Sequence, residues 1–507
     1  MKNKKSYLIA FLLVGFFATL FVVSESNKQQ ELRSQAASIT VSPGGSIQAA
    51  LDSANAGDTV VVKAGTYTGA ITFKKNDVTL QGEAGATIDG AGSTARGLVT
   101  FDGRSNIKII GMTVTNAGGH GMYGGGGVSN ITIQNNTVSN SKDGGIFVGD
   151  GSNVIIDGNT VTNNNGGASG GDIGQAANEG VTLFNIKTFE IMNNKVFGNH
   201  EEGIDVKNGT TDGSIHNNMV YENNGPNIYI DGASNTKVFS NMAYNAKGSS
   251  KAGIGLAVES GGAASNLEIY NNILYGNPGG GIDMWTGSYS NIKAINNTIA
   301  NNGKGAITGS GITNSIARNN IIFNNAISAS GYTADHNLTT DPGFVSATDF
   351  HLKAGSPAID AGVSDGAPTT DFAGATRPVG SAIDIGAYEF GGIATNPGGA
   401  TAAPTVPPTT PTLFCIGNTS CGENPSPSTD VSISSQPTES IAPVSEVPTD
   451  EVSVDPSQTE PTDSVPGGGN GNGGDGGNGH GDHKGLFSLL MQLIALLFAL
   501  LLKLFGH

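Results

Sequence analysis

The chain has 507 residues, of which 77 are glycine, and its formal net charge is −17 at pH 7. Glycine stands at about twice its usual share of roughly 7%, so length alone overestimates how many separate cores the chain can build. The acidic balance argues against nucleic acid or anionic lipid as the main partner, because a surface of that sign would repel either of them.

The N-terminus has the pattern of a secretory signal peptide. Lys2, Lys4 and Lys5 precede an apolar run over residues 7–23, which has the length of a signal-peptide core and is short for a membrane span. We expect residues 1–24 to form a signal peptide, with an uncleaved anchor as the alternative. The sequence therefore predicts an exported protein.

A short helix is predicted over residues 46–54. Its apolar residues Ile47, Ala50 and Leu51 recur at helical spacing. Because the repeats that follow would otherwise begin with an open strand edge, we interpret this helix as an N-terminal cap.

One sequence motif recurs between residues 105 and 325. It consists of an apolar-x-apolar strand, an Asn-rich turn and a short β-branched strand, and successive copies are 23 to 35 residues apart. The period-two alternation and the repeated Gly and Asn exclude a helical solenoid. Each unit can bury its apolar residues only by stacking on the next, so residues 39–392 are predicted to form one all-β solenoid, a parallel β-helix. The turn asparagines are interpreted as a structural ladder.

Alignment of the strands that follow the Asn turns predicts which side chains face outward, because successive side chains of a strand point to opposite faces. The first outward column reads Phe147, Thr182, Asp205, Tyr229, Gly255 and Asp283. The second outward column reads Gly149, Phe184, Lys207, Asp231, Ala257 and Trp285.

Adjacent coils about 4.8 Å apart would bring part of these columns into one compact patch. The candidate catalytic residues are Lys207, Asp205 and Asp231. The candidate substrate-binding residues are Tyr229, Trp285, Asp283, Glu259 and His200, with Glu179 and Glu201 at neighbouring bends. The small residues of the columns, Gly255 and Ala257, would leave a groove beside an aromatic wall, and the enlarged coils at 163–178 and 246–252 would flank it.

A cation is also predicted, because like charges stacked on adjacent strands repel each other. Ca²⁺ takes about six to eight oxygen ligands, and Glu202, Asp205 and Asp231 could supply part of that shell. The alternative is an acidic face that is merely solvated.

The composition changes after residue 392. Residues 393–484 are rich in Pro, Thr and Ser and then in Gly and Asn, so a disordered linker is predicted. Cys415 and Cys421 lie in this linker, where a small disulfide loop is the plain interpretation. Residues 485–507 are predicted to anchor the protein in a membrane, with an interfacial helix, a self-associating helix or a glycolipid-anchor signal as alternatives.

Two segments carry a resemblance to a known family. The opening segment, residues 41–67, resembles the start of pectate-lyase-like right-handed parallel β-helix proteins. The closing segment, including Asp384-Ile385-Gly386-Ala387-Tyr388-Glu389, resembles the C-terminal part of secreted, surface-anchored β-helix proteins. The resemblance implies a right-handed solenoid and export. It implies little about the chemistry, because such solenoids host lyases, hydrolases, esterases, epimerases and adhesins.

The stretch 202–210 is similar to the carboxylate-plus-lysine segments of β-helix polysaccharide lyases. By that resemblance Ca²⁺ would neutralise the substrate's uronate group while Lys207 removes the proton at C5. The sequence departs from the family pattern in lacking a doubled Asp-Asp cluster and in having no arginine between Arg104 and Arg318.

We therefore expect a calcium-assisted lyase acting on an acidic extracellular polysaccharide at the cell surface, with a monomeric ectodomain. One alternative is a non-catalytic adhesin or polysaccharide-binding protein. The other is a glycoside hydrolase that pairs Asp205 with Asp231 or Asp283.

Overall fold

The computed structural model describes residues 36–166, 179–259 and 261–393. Within them the chain winds as a solenoid whose strands form one sheet of 22 strands and one of 11 strands. Every pairing between successive coils is parallel, as the predicted β-helix requires. The larger sheet bends along each coil into two faces, so that a coil has three sides, here called faces 1, 2 and 3.

Face 1 contains the strands that carry the predicted site. They are β4 (Ile71–Thr72), β7 (Gly97–Thr100), β10 (His120–Gly124), the first parts of β13 (Ile146–Asp157) and β15 (Val181–Met192), β17 (Ile204–Lys207), β20 (Ile228–Asp231), β23 (Ile254–Ala257), β26 (Gly280–Met284) and β29 (Gly305–Thr308).

Face 2 follows face 1 along each coil. Its strands are β1 (Ser38–Val41), β2 (Thr59–Val62), β5 (Thr79–Gly82), β8 (Ser105–Ile110), β11 (Val128–Gln134), the second parts of β13 and β15, β18 (Thr211–His216), β21 (Ser234–Phe239), β24 (Ala264–Tyr270), β27 (Tyr289–Ile295), β30 (Ile312–Thr313), β31 (Ser315–Arg318) and β33 (Tyr332–Asp335).

Face 3 closes each coil and is the sheet of 11 strands. Its strands are β3 (Gly65–Thr68), β6 (Ala86–Asp89), β9 (Thr113–Thr115), β12 (Thr137–Ser139), β14 (Thr160–Thr162), β16 (Lys195–Phe197), β19 (Met219–Tyr221), β22 (Met242–Tyr244), β25 (Ile273–Tyr275), β28 (Thr298–Ala300) and β32 (Ile321–Phe323).

The predicted capping helix is present as α1 (Ile47–Ser53). Ser46 is its N-cap, and its hydroxyl accepts a hydrogen bond from the backbone N–H of Ala49. The predicted apolar residues Ile47, Ala50 and Leu51 are the buried ones. The helix therefore packs its apolar side onto the first coils, as expected.

The core consists of inward columns in register from coil to coil. On face 1, Ile204 pairs with Ile228 and Ile228 with Ile254, and the side chains of all three are fully buried. Such columns form one continuous hydrophobic cluster along the described coils. The alternation read from the sequence is confirmed.

At the turn between faces 2 and 3, two consecutive residues have different structural roles. The first, such as Asn193 or Asn217, has a positive φ of 57° or 56°, which Asn tolerates better than most residues. The second, such as Asn218, is buried and joins a ladder of amides. The amide of Asn218 donates to the carbonyl of Ile191 and to Oδ1 of Asn241, and its own Oδ1 accepts from the backbone N–H of Asn194. The predicted ladder is confirmed.

The segment after β33 folds back along earlier coils. The side chain of Asn271 donates to the carbonyl of Thr370, and that of Asn296 donates to the carbonyl of Asp384. Arg377 and Glu389 form an ion pair, at 2.5 Å between Nη1 and Oε1, in which both side chains are buried. The polar residues of this segment therefore stabilise its conformation and hold it against the solenoid.

The predicted signal peptide (1–24), most of the linker (394–484) with both cysteines, and the predicted anchor (485–507) lie outside the described residues. Among the residues that are described, no helix is long and apolar enough to span a bilayer.

Replacement of Asn218 by Ala tests the ladder. It leaves the buried N–H of Asn194 and the carbonyl of Ile191 without their side-chain partner, and each such loss costs about 1–3 kcal/mol. We expect the free energy of unfolding, measured by chemical denaturation, to fall by about 2–4 kcal/mol. The control Asn130→Gly, at an exposed position with a φ of 54°, should change it by less than about 0.5 kcal/mol. Equal losses in both variants would contradict a dominant role for the buried ladder.

Candidate functional site

The structure confirms the two predicted outward columns on face 1. Asp205 is in register with Tyr229, Tyr229 with Gly255 and Gly255 with Asp283. Lys207 is in register with Asp231 on the next coil. The residues predicted to meet in one patch, Asp205, Lys207, Tyr229 and Asp231, therefore do lie on adjacent strands.

The patch is buried, so the alternative of a merely solvated acidic face is wrong. The relative exposure of Asp205 is 0%, that of Asp231 is 3% and that of Tyr229 is 5%. Long side chains from the same face bend back over the column: Lys207 lies against Asp205, and Trp285 covers Gly255. Strand parity predicts that a side chain faces outward, and it does not predict what covers it.

The centre of the patch is an ion cluster around Lys207. Its ammonium nitrogen lies 2.6 Å from Oδ2 of Asp205 and 2.6 Å from Oε1 of Glu179. Glu179 belongs to the bend before β15, and its Oε2 accepts a hydrogen bond of 2.5 Å from the hydroxyl of Thr182. Sequence analysis placed Glu179 at the rim, whereas the structure places it at the centre.

The cluster has more carboxylates than cations, and this sets its protonation. Burial alone lowers the pKa of Lys207, but the ion pairs with Asp205 and Glu179 outweigh burial and raise the pKa well above its usual value. Burial raises the pKa of Asp205 well above its usual range despite the nearby ammonium, and Glu179 and Glu202 raise it further. Neither oxygen of Asp205 has a hydrogen bond of good geometry within the described part of the chain.

Two further carboxyl groups stand at the bend before β17. Burial and the charges of Glu179 and Glu201 raise the pKa of Glu202 to about 7. Burial raises the pKa of Glu201 as well. Unlike Asp205, Glu202 is only partly buried.

An aromatic pair lies beside the cluster, where a groove was expected. The rings of Tyr229 and Trp285 are 5.4 Å apart at 51°. A Cβ added to Gly255 would lie only 2.7 Å from the indole ring, so the ring of Trp285 covers Gly255 and fills the predicted gap. The small residue accommodates the tryptophan, and the predicted open floor is wrong.

A second aromatic group, which sequence analysis did not identify, lies on the other side of the cluster. Tyr123 and Phe147 stack at 4.9 Å, and Phe184 lies 6.5 Å from Phe147. The guanidinium of Arg96 lies 4.0 Å from the ring centre of Tyr123, just as Lys251 lies 5.5 Å from that of Trp285. Phe147 and Phe184 both belong to the outward columns predicted from sequence, so the alignment of those columns could have identified this aromatic group.

The other predicted substrate-binding residues are spread out. Asp283 is buried, and its Oδ2 accepts from the N–H of Gly280, so it holds its own strand rather than facing a ligand. His200 and Glu259 are exposed. The backbone N–H of Glu259 donates to Oδ1 of Asp231 at 2.8 Å. Burial raises the pKa of Asp231.

The predicted calcium ligands do not fit the ion as they are arranged. Among the described residues, no group of three or more His, Cys, Asp or Glu side chains is placed to hold a metal. The ammonium of Lys207 already lies 2.6 Å from Asp205 and would repel a second cation there. Calcium remains a prediction.

Replacement of Lys207 by Met tests the ion cluster. Two buried carboxylates would lose their cation, and breaking a buried pair costs about 3–5 kcal/mol. We expect that loss in the free energy of unfolding at pH 7. The loss should shrink as the pH falls, because Asp205, whose pKa is raised, then becomes neutral and needs no cation. Lys187→Met, at an exposed position, should change stability by no more than about 0.5 kcal/mol. A loss in Lys207→Met that does not change with pH would contradict the assignment.

Comparison with known proteins agrees with this fold. The family described as "Right handed beta helix region" matches residues 96–263. No curated protein matches the sequence. Among solved structures, pectate lyase Pel9A is 18% identical, with a TM-score of 0.49 over 70% of this chain and 96% of the other.

Two more solved structures show the range of similar proteins. The A-module of Azotobacter vinelandii mannuronan C-5 epimerase AlgE6 is 17% identical, with a TM-score of 0.42 over 58% of this chain and 94% of that module. Polygalacturonase from Erwinia carotovora ssp. carotovora is 14% identical, with a TM-score of 0.42 over 60% and 94% of the two chains. By its own strand pairing the described chain is a parallel β-helix, and its residues 96–263 match the family of right-handed β-helix regions.

Proposed function

We propose that the protein is a carbohydrate-active enzyme that cleaves an extracellular polysaccharide by acid–base hydrolysis on face 1. The observation that carries the proposal is the order of groups along this face: Tyr123, Phe147 and Phe184, then the cluster around Lys207, then Tyr229 and Trp285. Phe184 and Trp285 are the partly exposed rings on the two sides of the cluster, and they would contact a chain of sugars that crosses it. The buried rings of Tyr123, Phe147 and Tyr229 pack beneath them.

Glu202 is assigned as the general acid. Hydrolysis of a glycosidic bond needs one carboxylic acid that protonates the leaving oxygen and one carboxylate that activates water or attacks the sugar. A pKa of about 7 keeps much of Glu202 protonated near neutral pH. The bond between the anomeric carbon and the leaving oxygen breaks as Glu202 donates its proton to that oxygen.

Asp231, on the coil after Glu202, is assigned as the carboxylate that takes a proton from the attacking water. The pairs considered from sequence were Asp205 with Asp231 and Asp205 with Asp283. Asp205 is fully buried and is paired with Lys207. Asp231 and Asp283 are both buried and each accepts a backbone N–H, and Asp231 is assigned because it is in register with Lys207 on the next coil. Asp205 and Glu179 instead position Lys207, whose fixed positive charge lies beside the acid.

This assignment differs from the calcium-assisted lyase expected from sequence. Elimination would need Lys207 as a neutral amine that removes a proton. Its two carboxylate partners raise its pKa well above its usual value, so the amine stays protonated near neutral pH and is a poor base. β-Elimination is therefore the second candidate, and it requires that ligand binding separate Lys207 from Asp205 and Glu179.

The proposal includes export and attachment to the cell surface. Its support is the sequence of residues 1–24 and 485–507, which lie outside the described residues. A monomeric ectodomain whose partner is a polysaccharide, and not a nucleic acid, completes the proposal and agrees with the net charge of −17.

The test is to incubate the purified full-length chain with neutral and uronate polysaccharides and to record both new reducing ends and the ultraviolet absorbance of unsaturated products. Hydrolysis should release reducing ends without absorbance. Glu202→Gln should lower the rate about 10²–10⁴-fold, whereas Glu83→Gln, at an exposed position, should not. The rate should also fall as the pH rises through about 7, because Glu202 must hold its proton to act.

The other outcomes separate the alternatives. Rising absorbance that Lys207→Ala abolishes would establish the lyase and overturn the hydrolase. Binding of a polysaccharide with no products from any substrate would point to the adhesin.

A further inference from the structure

A long groove runs along face 2, away from the ion cluster. It consists of two adjoining depressions of about 820 Å³ and 670 Å³, which share Asn235 and Lys237. The groove extends from the coil of Lys108 to the coil of Thr333, which is roughly 40 Å at about 4.8 Å per coil. Nothing in the proposed hydrolysis uses it.

The groove owes its shape to one bend that most of its coils share. A residue near the start of the face 2 strand has positive φ, for example 54° at Asn130, 55° at Asn266 and 57° at Asn291. The strand turns there, so the side chain at the bend stands as one wall and the residue two positions later stands as the other. Thr188 and Asp212 occupy the same position with φ of 66° and 60°, so these coils share the bend.

The first wall is a ladder of exposed amides. Nδ2 of Asn266 donates to Oδ1 of Asn235 at 2.9 Å, and Nδ2 of Asn291 donates to Oδ1 of Asn266 at 2.8 Å. An amide has two N–H groups and two acceptor lone pairs, so the ladder leaves one of each free at Asn266. On each coil where this position is Asn, the wall therefore offers one donor and one acceptor, which matches hydroxyl groups because a hydroxyl both donates and accepts.

The second wall is mixed and electrically balanced. Glu268 lies between Lys237 and Lys293, at 3.6 Å and 3.0 Å from their ammonium nitrogens. Ile155, which is 37% exposed, adds an apolar surface. The whole lining contains three lysines and three acids: Lys108, Lys237, Lys293, Glu190, Asp212 and Glu268. The groove is thus neutral in a chain of net charge −17, which favours an uncharged occupant.

We propose that this groove binds an extended, uncharged, hydroxyl-rich polysaccharide lying along the solenoid axis. The amide ladder supplies hydrogen bonds on the coils that carry Asn at the bend, and the apolar side chains contact the sugar ring carbons. The site is separate from the ion cluster on face 1, so the proposal does not depend on the proposed hydrolysis.

The test is affinity electrophoresis of the full-length Glu202→Gln chain, chosen to avoid cleavage, through gels containing a neutral glucan, a neutral galactomannan or polygalacturonate. Retardation by a neutral polymer should weaken at least tenfold in Asn266→Gly/Asn291→Gly. Glycine keeps the positive φ and removes the amides. The matched control is Asn301→Gly/Asn324→Gly, an exposed ladder pair with φ of 55° and 52° that lies outside the groove.

A second variant, Ser214→Trp, places a bulky ring in the groove lining and should weaken binding in the same way without touching the ladder. Equal retardation of the groove and control variants would overturn the proposal. No retardation by either neutral polymer, or stronger retention by polygalacturonate than by both neutral polymers, would overturn it as well. Cleavage assays on the unsubstituted chain judge the hydrolase independently of these results.

Discussion

The amide ladder between coils is the interaction on which the rest of the structure depends. Each buried asparagine ties its coil to two neighbours, as Asn218 does with Asn194 and Asn241. An unpaired amide in this interior would cost more than a hydrogen bond gains, so the ladder enforces one register rather than merely adding stability. Residues about one coil apart in sequence therefore meet at fixed spacing on every outward face.

On face 1 that register creates an electrostatic conflict, and burial decides how it is resolved. Glu179, Asp205 and Lys207 come from neighbouring coils and meet because the coils are aligned. One ammonium cannot neutralise all the nearby carboxylates, and little water reaches them. The lysine therefore stays charged, while burial raises the pKa values of Asp205 and Glu202. We therefore propose that Glu202 transfers the proton and that Lys207 supplies a fixed positive charge, whereas the segment 202–210 suggested Lys207 as the base.

The three faces provide three kinds of surface from the same repeat. Face 1 carries aromatic rings and a buried ion cluster, and face 2 carries the neutral amide groove. On face 3 the stacked rings of Tyr244 and Tyr275 continue to Phe350 of the returning segment, so part of that face is covered by the chain itself. The solenoid separates these surfaces because a single coil contributes one strand segment to each of them.

The sequence by itself determined the solenoid, its core columns, the capping helix and the ladder. These features depend on local periodicity, and the pairs Asp205–Tyr229 and Lys207–Asp231 follow from it directly. Only the tertiary structure decided what covers each column. The ring of Trp285 folds over Gly255, and Glu179 reaches Lys207 from a bend. Side-chain direction alternates with a period that can be read along a strand, whereas burial and protonation depend on side chains from other coils.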